Sequence, residues 1–143
     1  MQIKSNAFFC DDARQDEFGS FTIVGAYAGV INLVPTRRNR RIGNFVVIED
    51  FPAGEHHLRF RVTFTADDSG EVITLVDQAQ NIIGDPDAAM VLNPMGLPLR
   101  MEEDGILKLT MVVDENHEQE LCSAQILYHE DEDEDEDEDG GAD

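Results

Sequence analysis

Apolar and polar residues alternate along much of this chain with a period of two, the spacing of a β-strand that buries one face. The clearest run covers residues 58–65, where four apolar residues interleave with two arginines and two threonines. A second run covers residues 107–113, and a polar turn separates it from a third run at 121–128. Because a short polar turn joins the last two runs, we predict that they form a hairpin.

Shorter strand candidates lie at residues 5–9, 21–27, 30–34, 44–48, 72–76 and 97–101, with turn-forming residues between them. The prediction is therefore eight or nine strands. Residues 78–96 fit no strand and are predicted to be a long connection, in which Asp85 and Pro86 could begin one short helix. Many short strands with at most one short helix favour an all-β fold, an antiparallel β-sandwich of immunoglobulin-like or C2-like type.

Composition and charge divide the chain into two parts. Its 143 residues, 41% of them hydrophobic, suit one domain with a single core. Acidic residues outnumber basic ones by 31 to 10, and 11 of the acids follow His129, so residues 1–129 carry −10 of the net −21. We predict a β-sandwich domain at 1–129 and a disordered acidic tail at 130–143. The net charge makes nucleic acid an improbable partner.

No segment is apolar enough to cross a membrane, and the start of the chain lacks the features of a secretory signal, so we expect a cytoplasmic protein. The two cysteines, Cys10 and Cys122, are predicted to be buried reduced thiols, with a redox-linked pair as the alternative. Phosphate-binding loops, zinc-ligand spacings and nucleophile motifs are absent from the sequence. We therefore expect no cofactor, no metal and no enzymatic activity.

Four of the ten basic residues are concentrated within five positions, at Arg37, Arg38, Arg40 and Arg41. Adjacent guanidinium groups repel one another and pair well with phosphate or carboxylate, so this segment is a candidate anion-binding or partner-binding loop. One interpretation is a solvated loop. The other is autoinhibition, in which the acidic tail of the same chain occupies the arginines.

The beginning of the chain carries a local motif, made of Cys10, Asp11, Asp12, Gly19, Gly25 and Tyr27. Over about the first 35 residues this opening resembles an uncharacterised bacterial family of small β proteins, labelled only as a domain of unknown function. The resemblance implies a bacterial or phage-related origin, cytosolic residence and a sandwich fold, and it brings no catalytic residues.

From the residues alone, the motif is interpreted as structural. The two carboxylates can accept hydrogen bonds from turn amides, Gly19 supplies a positive φ, and Gly25 marks a bulge or a close backbone approach. The functional alternative is a calcium site built by loop aspartates, namely Asp11, Asp12, Asp16, Asp67 and Asp68.

Three functions are therefore compatible with the sequence. The first is a non-enzymatic module that binds an unknown protein through loops or a sheet edge. The second is a polyanion mimic that acts through the Glu-Asp tail, and the third is a calcium-binding C2-like domain. Pairing of sheet edges into a homodimer is compatible with all three.

Overall fold

The computed structural model describes residues 3–34, 41–92 and 96–130. In these ranges the chain is all-β, with no helix, and its strands form two separate sheets. The ten strands are β1 (Lys4–Gln15), β2 (Phe21–Ala26), β3 (Val30–Leu33), β4 (Arg41–Glu49), β5 (Gly54–Ala66), β6 (Val72–Gly84), β7 (Met90–Leu92), β8 (Leu97–Pro98), β9 (Gly105–Val113) and β10 (His117–Tyr128).

The first sheet has the strand order β2-β1-β4-β7, and the short strand β8 pairs with the beginning of β4. All of these pairs are antiparallel. Phe8 on β1 lies opposite Phe45 on β4, with ring centroids 5.6 Å apart, and Phe21 meets Phe45 edge-on at 5.2 Å. Such cross-strand aromatic contacts help to set the register of the three strands.

The second sheet has the order β3-β10-β9-β5-β6. The predicted hairpin is confirmed, because β9 and β10 pair antiparallel on either side of a tight turn. The purely antiparallel prediction is wrong at one edge, where β3 runs parallel to β10. This pairing buries Ile31 beside Ile126, so the apolar side of β3 is covered without a hairpin.

Side chains from both sheets form one hydrophobic cluster. The alternation at residues 58–65 is confirmed, since Leu58, Phe60, Val62 and Phe64 are all at most 2% exposed. The facing residues of β9 are buried in the same way, namely Leu107, Leu109, Met111 and Val113. Burial of this apolar surface is the main source of stability for a domain of this size.

The segment at 78–96 differs most from its prediction. Strand β6 continues to Gly84, where the sequence analysis placed a connection, and β7 begins at Met90. Only residues 85–89 remain between them, and they form a turn instead of the predicted short helix, with the carboxylate of Asp85 accepting a hydrogen bond from the Asp87 amide. The predicted strand at 97–101 is reduced to Leu97–Pro98, and the strand count is ten instead of eight or nine.

Candidate functional site

A pocket of about 580 Å³ lies between β6 and the segment 96–103. Its walls are largely apolar, and its polar boundary is formed by two arginines and one glutamate. The apolar lining residues are Phe64, Ile73, Leu75, Val76, Leu97, Pro98 and Met101. No single stretch of sequence predicts this pocket, because its residues come from β4, β5, β6 and the chain around β8.

A β-bulge explains how β6 supplies three lining residues. Phe64 pairs with Ile73 and Val62 pairs with Val76, but the register shifts between Val62 and Thr63 and leaves Leu75 without an opposite residue. Such an irregularity bends a strand and re-aims its side chains. Consecutive residues 75 and 76 therefore both line the pocket.

Arg41 and Arg100 form the basic side of the pocket, and Glu103 lines it as well. Arg41 is the first residue of β4, and its Nη2 donates a hydrogen bond of 3.4 Å to the carbonyl of Gly96. Both arginine side chains belong to exposed residues, so each guanidinium is accessible to a ligand.

These two arginines differ from the other basic residues of the described chain. Of the seven Lys and Arg residues described, five form an ion pair with a carboxylate, namely Lys4, Arg14, Arg59, Arg61 and Lys108. Arg41 and Arg100 form no ion pair with a described residue. In a chain with three acids for each base, two guanidiniums at one pocket that pair with no described carboxylate are a distinctive feature.

Of the predicted arginine loop, Arg37, Arg38 and Arg40 lie outside the described residues. Arg41 is described, and it lies at the pocket. The predicted contact between this loop and the acidic tail also involves residues outside the described ranges, because only Glu130 of the tail is described.

Beside the pocket, β6 forms one edge of the second sheet. It spans thirteen residues, contains no proline, and carries one charged residue, Asp77. Its exposed apolar side chains include Val72 at 60% and Ile83 at 78%. No strand within the described ranges pairs with its outer edge.

The motif near the start of the chain connects β1 to β2. The Tyr27 hydroxyl donates a hydrogen bond to the Asp11 carboxylate, and the Tyr27 amide donates to the Phe9 carbonyl at 2.9 Å. Gly25 has a φ of +66°, and a Cβ there would lie 2.2 Å from Asp11 Oδ2. Gly19 has a positive φ of 90°, as predicted. These contacts join the ends of β1 and β2, and Asp12 on β1 pairs with Arg14.

Both cysteines are free thiols. Burial raises the pKa of Cys10, and the nearby carboxylates of Asp12 and Asp11 raise it further. Burial, with a smaller contribution from Glu120, raises the pKa of Cys122 to about 12. Because the thiolate is the reactive form, a raised pKa lowers the reactive fraction of both thiols at neutral pH.

The best-defined titratable pair lies at a corner of the second sheet. His56 Nδ1 lies 2.7 Å from Asp114 Oδ2, and the other oxygen of Asp114 accepts a hydrogen bond of 2.9 Å from the His57 amide. The hydrogen bond with Asp114 raises the pKa of His56, and the same bond lowers the pKa of Asp114. The hydrogen bonds of this pair within the described residues involve no Ser, Thr or Cys side chain.

In the described ranges, no group of three or more His, Cys, Asp or Glu side chains assembles as a metal site. The loop aspartates have local partners instead, since Asp16 accepts hydrogen bonds from the amides of Phe18 and Ser20. The described residues contain no helix with the length and hydrophobicity to span a membrane.

No protein-family model and no curated protein matches this sequence. Among solved structures, the chain is similar to the "Putative ApaA Protein from Bordetella pertussis", at 11% identity and a TM-score of 0.47, over 89% of this chain and 94% of that one. It is also similar to a structural genomics target whose description states no function, at 12% identity and a TM-score of 0.39, over 89% and 85% of the two chains. Similarities of this size support no conclusion about activity.

Proposed function

We propose that this protein is a non-enzymatic binding module that holds an extended segment of another protein along β6. The observation that carries the proposal is the outer edge of this thirteen-residue strand, which has β5 on one side and no described strand on the other. An unpaired edge presents a row of backbone N–H and C=O groups that an added strand can complete. The two sheets would act as an immunoglobulin-like or C2-like sandwich that supports this edge.

The other described edges are less suitable for strand addition. β2 has six residues, β3 has four and β7 has three. Short edges limit the number of hydrogen bonds that a partner can make, and natural proteins protect long edges with lysines or prolines. β6 has neither, and its one charged residue, Asp77, already pairs with Arg59 and Arg61 of β5.

Charge indicates the kind of partner. The chain carries −21, so a second copy is repelled and a segment with basic residues is attracted. The proposed occupant is therefore an extended basic segment of a different protein. A homodimer through β6 is the competing outcome. The polyanion-mimic and calcium hypotheses have no support in the described residues and stay predictions.

Adjacent proline variants provide a matched test. Along a strand, successive backbone N–H groups point to opposite edges, so Gln78→Pro and Ala79→Pro remove one inward and one outward donor. The inward variant loses a hydrogen bond to β5 and unfolds at lower urea. The outward variant keeps the urea midpoint of the unmodified chain. The variant with the unchanged midpoint is therefore the one whose proline removed the outward N–H.

Peptides that bind the full chain would be selected from a displayed library of random twelve-residue sequences. We expect selected peptides to be basic and rich in β-formers, to slow hydrogen exchange at alternate amides of Val72–Gly84, and to bind the outward proline variant about tenfold more weakly. Failure to select any binder, equal binding to the outward variant, or protection away from β6 would overturn the proposal. So would a stable dimer of the full chain through β6 at low salt in sedimentation equilibrium.

A further inference from the structure

We propose that the pocket beside β6 is a separate site for a small apolar molecule that carries a single carboxylate. This site is distinct from the backbone edge that a partner strand would use, although both include side chains of β6. The inference therefore does not depend on the proposed protein partner.

The size and lining of the pocket suit a small molecule. About 580 Å³ lies within the range of ligand sites, which are mainly apolar with a few polar groups that fix orientation. The volume is larger than one amino-acid side chain requires. Phe64, Leu75 and Met101 supply apolar surface from three different parts of the chain.

The two arginines specify the polar end of the ligand. Arg41 and Arg100 line the pocket and are the described basic residues without a carboxylate partner. A guanidinium pairs with a carboxylate through two parallel hydrogen bonds, and a ligand carboxylate here would neutralise charge that no described carboxylate pairs with. The positive charge is notable because the chain as a whole is acidic.

Glu103 restricts the charge that the site accepts. Glu103 lines the same pocket and adds a negative charge there, so a ligand with several negative charges is less favoured than a monoanion that pairs with the arginines. The chain's own acidic tail is a poor occupant, because residues 130–143 contain Asp, Glu, Gly and one Ala and offer no large apolar group.

The test is isothermal titration calorimetry of the full chain with decanoate, decanol and decanedioate. These probes share an apolar chain and differ in bearing one carboxylate, none or two. We expect saturable binding of decanoate below about 1 mM. Decanol should bind about tenfold more weakly because it lacks the charge-assisted hydrogen bonds. Decanedioate should also be weaker, because its second carboxylate would lie at the far end of the apolar chain and lose hydration against the apolar lining.

The variant R41Q/R100Q should weaken decanoate binding by about tenfold or more. R14Q is the matched control, because Arg14 is exposed and lies on β1 away from the pocket lining, and it should bind decanoate as the unmodified chain does. Equal urea midpoints would show that each variant is folded. Absence of saturable decanoate binding, or unchanged affinity in R41Q/R100Q, would overturn the inference, whatever the result of the peptide selection.

Discussion

At the scale of single residues, Asn44 is an unusual core position. It lies on β4, is 1% exposed, and neither its amide nitrogen nor its amide oxygen has a hydrogen-bond partner in the described structure. A buried polar group without a partner loses its bonds to water and gains nothing in return. The neighbouring inward positions, Ile42 and Val46, are apolar.

We therefore expect Asn44→Leu, a substitution of similar volume, to raise the free energy of unfolding by about 1–3 kcal/mol. Urea denaturation measures this value. Asn6→Leu is the matched control, because Asn6 is exposed on β1, and its effect should stay within about 0.5 kcal/mol. A loss of stability in Asn44→Leu would show that the Asn44 amide has a role in the native core.

The close approach of Gly25 to Asp11 leads to a second prediction at the residue scale. Ala at position 25 must adopt a φ of +66° and displace the Asp11 carboxylate that accepts the Tyr27 hydroxyl. Gly70 has a similar positive φ, 74°, but no atom beyond its chain neighbours lies within 4 Å of a Cβ there. Both Ala variants carry backbone strain, so their difference isolates the contact.

We expect Gly25→Ala to reduce the free energy of unfolding by about 1 kcal/mol more than Gly70→Ala does. Urea denaturation of the two variants gives the comparison. Adding Asp11→Ala to Gly25→Ala should remove the excess, because the displaced side chain is then absent. Equal losses in the two glycine variants would mean that the contact between positions 25 and 11 is unimportant.

At the scale of elements, the His56–Asp114 pair connects the beginning of β5 to the turn between β9 and β10. The raised pKa of His56 stabilises the fold below the ordinary value of 6.5, and this contribution is lost as the pH rises through the folded-state pKa. The lowered pKa of Asp114 stabilises the fold above 3.8, and this contribution is lost as the pH falls. Between pH 3.8 and pH 6.5, both the raised pKa of His56 and the lowered pKa of Asp114 stabilise the fold.

We therefore expect the stability difference between the unmodified chain and His56→Gln to be largest at about pH 5–6 and to decline toward pH 9. Urea midpoints measured across this range provide the test. In an Asp114→Asn background the same His56→Gln substitution should show no such maximum. A difference that is constant with pH in the unmodified background would contradict the assignment.

The elements also show what could be read from the sequence. Strands with one buried face, such as residues 58–65, are predictable because their apolar and polar residues alternate as the side chains alternate between the core and the solvent. β6 was predicted only up to Val76, because an edge strand exposes most of both faces and its sequence no longer alternates. The pocket was not predictable, since it depends on a bulge and on distant segments meeting. Of the residues that line the pocket, the sequence predicts only Arg41 as a candidate binding residue, because it belongs to a cluster of arginines.

At the scale of the whole molecule, net charge and the exposed edge act in opposite directions. The edge of β6 favours association of copies, whereas a charge of −21 opposes it. Residues 130–143 contribute 11 of the acids, so a chain that ends at His129 carries −10.

We expect the shortened chain to fold with an unfolding free energy within about 0.5 kcal/mol of the full chain and to self-associate more strongly. Sedimentation equilibrium at low and high salt measures the association. Salt should increase association of the full chain, because it screens the repulsion. The outward proline variant in the shortened chain should stay monomeric. Equal association of both chains would show that the acidic residues do not regulate this edge.

The parallel pairing of β3 with β10 has a consequence for how the chain folds. Val30–Leu33 finds its partner in residues 125–128, so this contact closes a loop of more than ninety residues. During synthesis, β3 leaves the ribosome early and must wait for almost the whole sequence before its buried side chains are covered. Since contacts distant in sequence slow folding, the second sheet should be completed on a time scale of milliseconds to seconds. For that interval Ile31 and its neighbours are exposed, and a molecular chaperone could recognise them.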